Sequence, residues 1–180
     1  MNKKITLNNK IILDTLAKSD VCLKEIAGSL GISKDDLADF FLKKTITVYT
    51  DGASKGNPGE SGSGVVFKDG EKKTGHYFYN GQTTNNVAEY TALMRAVELC
   101  EKLSYKSVEV FSDSELMCNQ INGKYKVNNE GLLDFHRSIT GKIKGFDYFK
   151  ISYIPREKNK DADKLANIAI SNKCDGVHEF

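Results

Sequence analysis

Four acidic residues, Asp51, Glu89, Asp113 and Asp163, stand where the surrounding sequence would hold a carboxylate still. Asp51 closes the apolar run ITVYT, and Asp113 closes SVEVFS. The carboxyl ends of neighbouring strands are where open α/β sheets place ligands. Glu89 has Ala92, Leu93 and Ala96 at helical spacing after it, so it shares an apolar face and points at a core edge. Asp163 opens a segment whose Leu165, Ala166, Ile168 and Ala169 face inward. Carboxylates gathered at the edge of a core repel one another and are costly to desolvate. A divalent cation makes such a cluster tolerable, and oxygen donors alone suit Mg²⁺ or Mn²⁺. Each acid also has a plainer reading. Asp51 fits a turn before Gly52, Asp113 a helix cap, and Asp163 competes with Asp161 at a helix start. An exposed glutamate is the plain reading of Glu89, and its alanine and leucine neighbours speak against it.

The elements that must position these acids are legible from Thr45 onward. ITVYT predicts a strand ending at Asp51, followed by a glycine-rich loop, GASKGNPGESGSG. VVFKDGEKKTGHYFYN predicts two strands around an Asp69-Gly70 hairpin turn. Thr83 or Thr84 can cap a long helix running to about Leu103. SVEVFSD predicts a strand ending at Asp113, residues 114–121 and 130–144 two helices, FDYFKISYIP a last strand, and DADKLANIAI a last helix. Hairpins followed by βα units specify an α/β architecture: a mixed sheet with helices packed on it. Residues 1–44 read as a separate, all-helical module, with 45–180 as the main domain. Ile11, Ile12, Leu16, Leu23, Ile26, Ala27 and Leu30 have helical spacing. Gly31 would end one helix and Ser33 cap another bearing Leu37, Phe40 and Phe41. KEIAGSLGISKDDLADFF resembles a helix-turn-helix, but Asp35, Asp36 and Asp39 on its second helix would face phosphates badly. A small packing or interaction module is the better reading.

Composition narrows the class. Apolar content of 39% and charged content of 28% suit a globular domain. No apolar run approaches the roughly 20 residues that cross a bilayer. The first residues lack the apolar stretch and cleavage site of a signal peptide. Cys22, Cys100, Cys118 and Cys174 are scattered without zinc spacing and read as reduced thiols, which points to the cytoplasm. Net charge is +2: residues 1–44 carry 8 basic and 6 acidic groups, and the remainder 18 of each. Bulk charge therefore gives no attraction for a polyanion, which must be held by a local patch or by metal ions.

TDGASKGNPGESGSG, TTNNVAEYTALMRAV, FSDSELMCNQI and YIPREKNKDADKLANIAI resemble type 1 ribonuclease H, in order and spacing, over about residues 45–172. The resemblance implies a ribonuclease H-like fold with a five-stranded mixed sheet flanked by helices. It implies hydrolysis of the RNA strand of an RNA–DNA hybrid with two Mg²⁺ or Mn²⁺ ions, leaving 5′-phosphate and 3′-hydroxyl ends. Asp51, Glu89, Asp113 and Asp163 fall on the family's four acidic positions. Asn57, Asn85 and Asn86 match positions that contact the hybrid across its minor groove, where an amide can both donate to and accept from a 2′-hydroxyl. Thr84 matches a residue holding a DNA-strand phosphate, and Ser114, which follows Asp113, is a further candidate substrate contact.

Three departures stand out. Glu115 occupies a place where many relatives carry Gln. SYIPREKNKDAD lacks the mobile histidine of well-studied relatives, and Arg156 is the best candidate substitute because guanidinium holds a phosphate bidentately. Its plain alternative is a loop contact to Asp161 or Glu157. NGKYKVNNEG is too short for the basic, Trp-rich protrusion found in some relatives, which leaves Lys124, Tyr125 and Lys126 as a remnant. This marks a compact branch, in which the N-terminal module would add contact with nucleic acid or a protein partner. Two other readings share the fold: a non-catalytic nucleic-acid-binding module, and a nuclease acting on DNA. The intact acidic set opposes the first; the paired asparagines and the glycine segment oppose the second.

Overall fold

Alternation of buried and half-exposed residues builds the sheet: Ile46, Val48 and Thr50 turn inward while Thr47 and Tyr49 take the other face. The structure, a computed structural model, describes residues 23–31, 33 and 45–180. In the first part, helix α1 spans Leu23–Leu30 and ends at Gly31, whose φ of 64° suits glycine. The helices expected over the rest of residues 1–44, including the second half of the helix-turn-helix pattern, lie outside the described residues.

Residues 45–180 form one unit. Strands β1 (Ile46–Gly56), β2 (Gly59–Asp69) and β3 (Lys72–Thr83) run antiparallel in sequence. Helix α2 (Asn85–Lys102) leads to β4 (Ser107–Ser112), parallel to β1. Helices α3 (Glu115–Ile121) and α4 (Glu130–Ile143) precede β5 (Tyr148–Tyr153), parallel to β4. A 3₁₀ turn (Arg156–Lys158), helix α5 (Lys160–Asn172) and strand β6 (Gly176–Glu179) complete the chain. The strand order is β5-β4-β1-β2-β3-β6. One face carries the main core, where Val48, Val65 and Val110 meet Leu93, Val97, Leu132 and Ile139 from the helices. On the other face, Val66 packs with Ala162 and Leu165 of α5.

The expected mixed sheet with flanking helices is present, with two corrections. The sheet has six strands, because β6 adds to the edge of β3 through Thr74–Tyr77. Its four residues are too few to register as an alternating pattern. The glycine-rich segment is a hairpin and not a loop: β1 runs on to Gly56 and β2 begins at Gly59. Its glycines serve close packing. A Cβ on Gly64 would lie 2.1 Å from the Ala162 carbonyl oxygen, and one on Gly62 2.4 Å from that of Ala166. Helix α5 thus rests directly on the β2 backbone, which only glycine permits.

Candidate active site

Register brings two of the acids side by side. Thr50 of β1 pairs with Ser112 of β4, so Asp51 and Asp113 follow on adjacent parallel strands. β4 stops there while β1 continues to Gly56, which leaves the edge of β1 open beyond Thr50. Glu89 enters this notch from α2. The helix begins where expected, with Thr84 as N-cap and its hydroxyl accepting from the Val87 N–H at 3.4 Å. Ala88, Ala92, Leu93 and Ala96 press the same face onto the sheet, and Glu89 is buried with them. Gly52 makes the approach workable: a Cβ there would sit 2.1 Å from the Glu89 backbone nitrogen. Its N–H donates to Glu89 Oε2 at 3.1 Å and fixes that carboxylate.

Asp51, Glu89 and Asp113 each offer a carboxylate oxygen within 4.8 Å of the others. The plain readings fail here. Asp51 lies inside a strand, Glu89 is buried, and the cap of α3 is Ser114 instead of Asp113. Burial above all, then the nearby Asp113 charge, pushes the Asp51 carboxyl from 3.8 up to about 8. A hydrogen bond with Asp113 and the Asp163 charge act in the same direction, and Arg156 opposes them. Glu89 is raised well above its ordinary value, first by burial and then by Asp51 and Asp113. Two buried acids that resist ionisation beside a third form a donor set of hard oxygens short of positive charge. The residues present therefore fit a divalent cation of the Mg²⁺ or Mn²⁺ kind.

Asp163 stands outside this trio. It lies in the first turn of α5, which starts at Lys160, three residues earlier than the acid expected to open it. Its Oδ1 accepts from Arg156 at 2.7 Å, and Asn167 donates to its Oδ2 at 3.4 Å. Arg156 therefore bonds the fourth acid itself and not Asp161 or Glu157. Asp161 pairs with Lys73.

The N-cap of α5 is Asn159, which sequence reasoning passed over. Its side chain is 1% exposed and makes no cap bond. Nδ2 donates instead to the Thr50 carbonyl at 2.9 Å and to Asp113 Oδ1 at 2.6 Å. It thereby ties β1, α5 and one acid together. In KNKD it looks like any loop asparagine, and no local signal separates it from one.

Of the remaining predicted contacts, Asn57, Thr84, Asn85 and Asn86 lie at the β1–β2 turn and the start of α2, and Ser114 at the start of α3. Asn57 accepts from the Asn85 N–H at 3.2 Å, which joins that turn to the helix. Asn57, Asn85 and Asn86 are exposed, while Thr84 and Ser114 are half-buried. Glu115, Lys124, Tyr125 and Lys126 are exposed. No described helix is long and apolar enough to cross a membrane.

A model of the Reverse transcriptase-like family matches residues 49–169. Ribonuclease HI of Halobacterium salinarum is 34% identical over 131 residues, which cover 71% of this chain and 65% of that protein. A bifunctional protein of Mycobacterium tuberculosis is 33% identical over 128 residues, 69% of this chain and 35% of its own length. The crystal structure of LC11-RNase H1 in complex with RNA/DNA hybrid is similar with a TM-score of 0.65 and 40% identity, covering 72% of this chain and 99% of that one.

Proposed function

We propose that this chain, which belongs to the type 1 ribonuclease H family, hydrolyses the RNA strand of RNA–DNA hybrids. The observation that carries this reading is the trio of carboxylates, two of them buried, gathered where β1 outruns β4. Asp51, Glu89, Asp113 and Asp163 would hold two Mg²⁺ or Mn²⁺ ions, with Asp51 shared, Glu89 and Asp113 completing one site and Asp163 the other. Held by these residues, such ions would supply a lowered pKa for the attacking water and positive charge for the scissile phosphate and the leaving oxygen, and the expected ends are 5′-phosphate and 3′-hydroxyl. The protein's part is to hold the oxygens still. The Gly52 N–H orients Glu89, and Asn159 orients Asp113. Arg156 bonds Asp163 and, being exposed, would meet a phosphate. Asn57, Asn85 and Asn86 form an exposed row of amides suited to reading 2′-hydroxyls across a minor groove. Thr84, next to Asn85, and Ser114, next to Asp113, would be hydroxyl donors to backbone phosphates.

We place the enzyme in the cytoplasm and take residues 1–44 as a module that adds substrate affinity or a partner contact. Removing those residues should raise the Michaelis constant and flatten its salt dependence; unchanged values of both would sink the affinity role. The reaction itself is tested with labelled RNA–DNA hybrid, duplex RNA and duplex DNA in Mg²⁺ or Mn²⁺. Cleavage confined to the RNA strand of the hybrid is expected. Binding without cleavage, or nicking of DNA, would refute the reading.

A further inference from the structure

A cavity of about 180 Å³ opens on the α5 side of the sheet, lined by Tyr49, Lys68, Lys73, Lys158, Asn159 and Asp161 among others. None of Asp51, Glu89 or Asp113 lines it. Its charge is unbalanced. Lys68 and Lys73 are directly opposed across the β2–β3 pair, an arrangement that destabilises a sheet unless something offsets it. Lys158, from the 3₁₀ turn, brings a third ammonium to the same cavity. Asp161 is engaged by Lys73, while Lys68 and Lys158 have no acidic partner among the described residues.

The second observation is independent of charge. Asn159 lines the cavity with its side chain buried, and both known bonds of that side chain use Nδ2. Its carbonyl oxygen, Oδ1, is buried with no hydrogen-bond partner among the described residues. A buried acceptor left unmatched is costly, so a donor is owed to it. Free lysines call for an anion, and the orphan acceptor calls for a hydroxyl on that anion.

We propose that this cavity binds a phosphate-class anion: inorganic phosphate, or the phosphate of a mononucleotide whose sugar supplies the hydroxyl. Its size admits a phosphate group. The proposal does not depend on the nuclease reading, because it is tested without divalent metal, where the acid trio repels anions.

Binding of inorganic phosphate, sulfate and a nucleoside 5′-monophosphate to the full chain in chelator at neutral pH can be followed by calorimetry and ³¹P line broadening. Saturable phosphate binding is expected, weakened by salt. Lys68→Ala with Lys158→Ala should weaken it by about tenfold or more, since charge-assisted contacts are the strong ones. Both lysines are exposed, so the double variant should keep its melting temperature. Phosphate should also outcompete sulfate, which has no proton to donate to Asn159 at this pH. Tighter binding of the mononucleotide than of free phosphate would identify the sugar as the hydroxyl source; equal binding would assign the site to phosphate itself. Absence of saturation, affinity unchanged in the double variant, or sulfate binding as tightly as phosphate would each overturn the proposal.

Discussion

Replacing Asp51 by Asn should stabilise the metal-free protein while abolishing turnover. Folding buries the Asp51 carboxyl beside two other acids and raises it from 3.8 to about 8. The folded state therefore keeps a proton that the unfolded chain releases as pH rises above about 4. Stability from this group is fully present below the unfolded value and is lost progressively up to about pH 8, the reverse of a carboxylate in a salt bridge. At pH 7 the proton uptake spans roughly three pH units, a ceiling of about 4 kcal/mol at ~1.4 kcal/mol per unit. Glu89 and Asp113 share the same repulsion, so roughly half of that ceiling, ~2 kcal/mol, is the expected gain from the neutral isostere. For a chain of this size it corresponds to a melting temperature higher by about 4–8 °C. The assay is calorimetry of both proteins in chelator from pH 5 to 8. The gap should be small at pH 5 and widen toward pH 8, and Mg²⁺ should raise the melting temperature of the native protein far more than that of the variant. A variant no more stable than the native protein at pH 7, or a gap that narrows as pH rises, would refute the reasoning.

Other consequences follow from single contacts. Asn159→Ala removes the amide that holds Asp113 and should lower activity and Mn²⁺ affinity by about 10–100-fold, as loss of a group orienting a metal ligand does; hybrid cleavage kinetics and metal titration measure both. Gly64→Ala forces a methyl to within 2.1 Å of the Ala162 carbonyl and should cost about 3 kcal/mol in urea unfolding as α5 is pushed from the sheet. Arg156→Ala breaks an ion pair whose arginine side chain is 76% exposed, so stability should change by less than ~1 kcal/mol. Removing that competing cation should nevertheless raise Mn²⁺ affinity in the absence of substrate, read by electron paramagnetic resonance; weaker binding would show that Arg156 does not compete for Asp163.

Most of the fold was legible because its elements repeat a pattern long enough to see. Helix α2 is legible to within two residues at both ends, since Thr84 caps it and its alanines and leucines recur at helical spacing. The glycine segment is not legible as a hairpin because glycine looks the same in a loop as beneath a helix. What distinguishes Gly62 and Gly64 is the backbone of α5 lying across them, and that helix is about a hundred residues away in the chain. Strand β6 is illegible for a related reason: its partner, β3, supplies the order that its four residues do not encode alone.

The candidate site divides along the same line. Glu89 was legible because a charge among alanines is a local anomaly, and burial confirms what its neighbours implied. The pairing of Asp51 with Asp113 needed only two strand ends and a parallel crossover between them. Asn159 is the opposite case. Its chemistry consists wholly of partners at Thr50 and Asp113, distant in sequence, and asparagine before a helix is ordinary in any protein. A ligand-bearing acid must be unusual where it stands, because desolvating it is costly. A neutral amide that orients the acid incurs no such cost and leaves no local trace. The groups that hold this site in place are therefore visible only once the chain has folded around them.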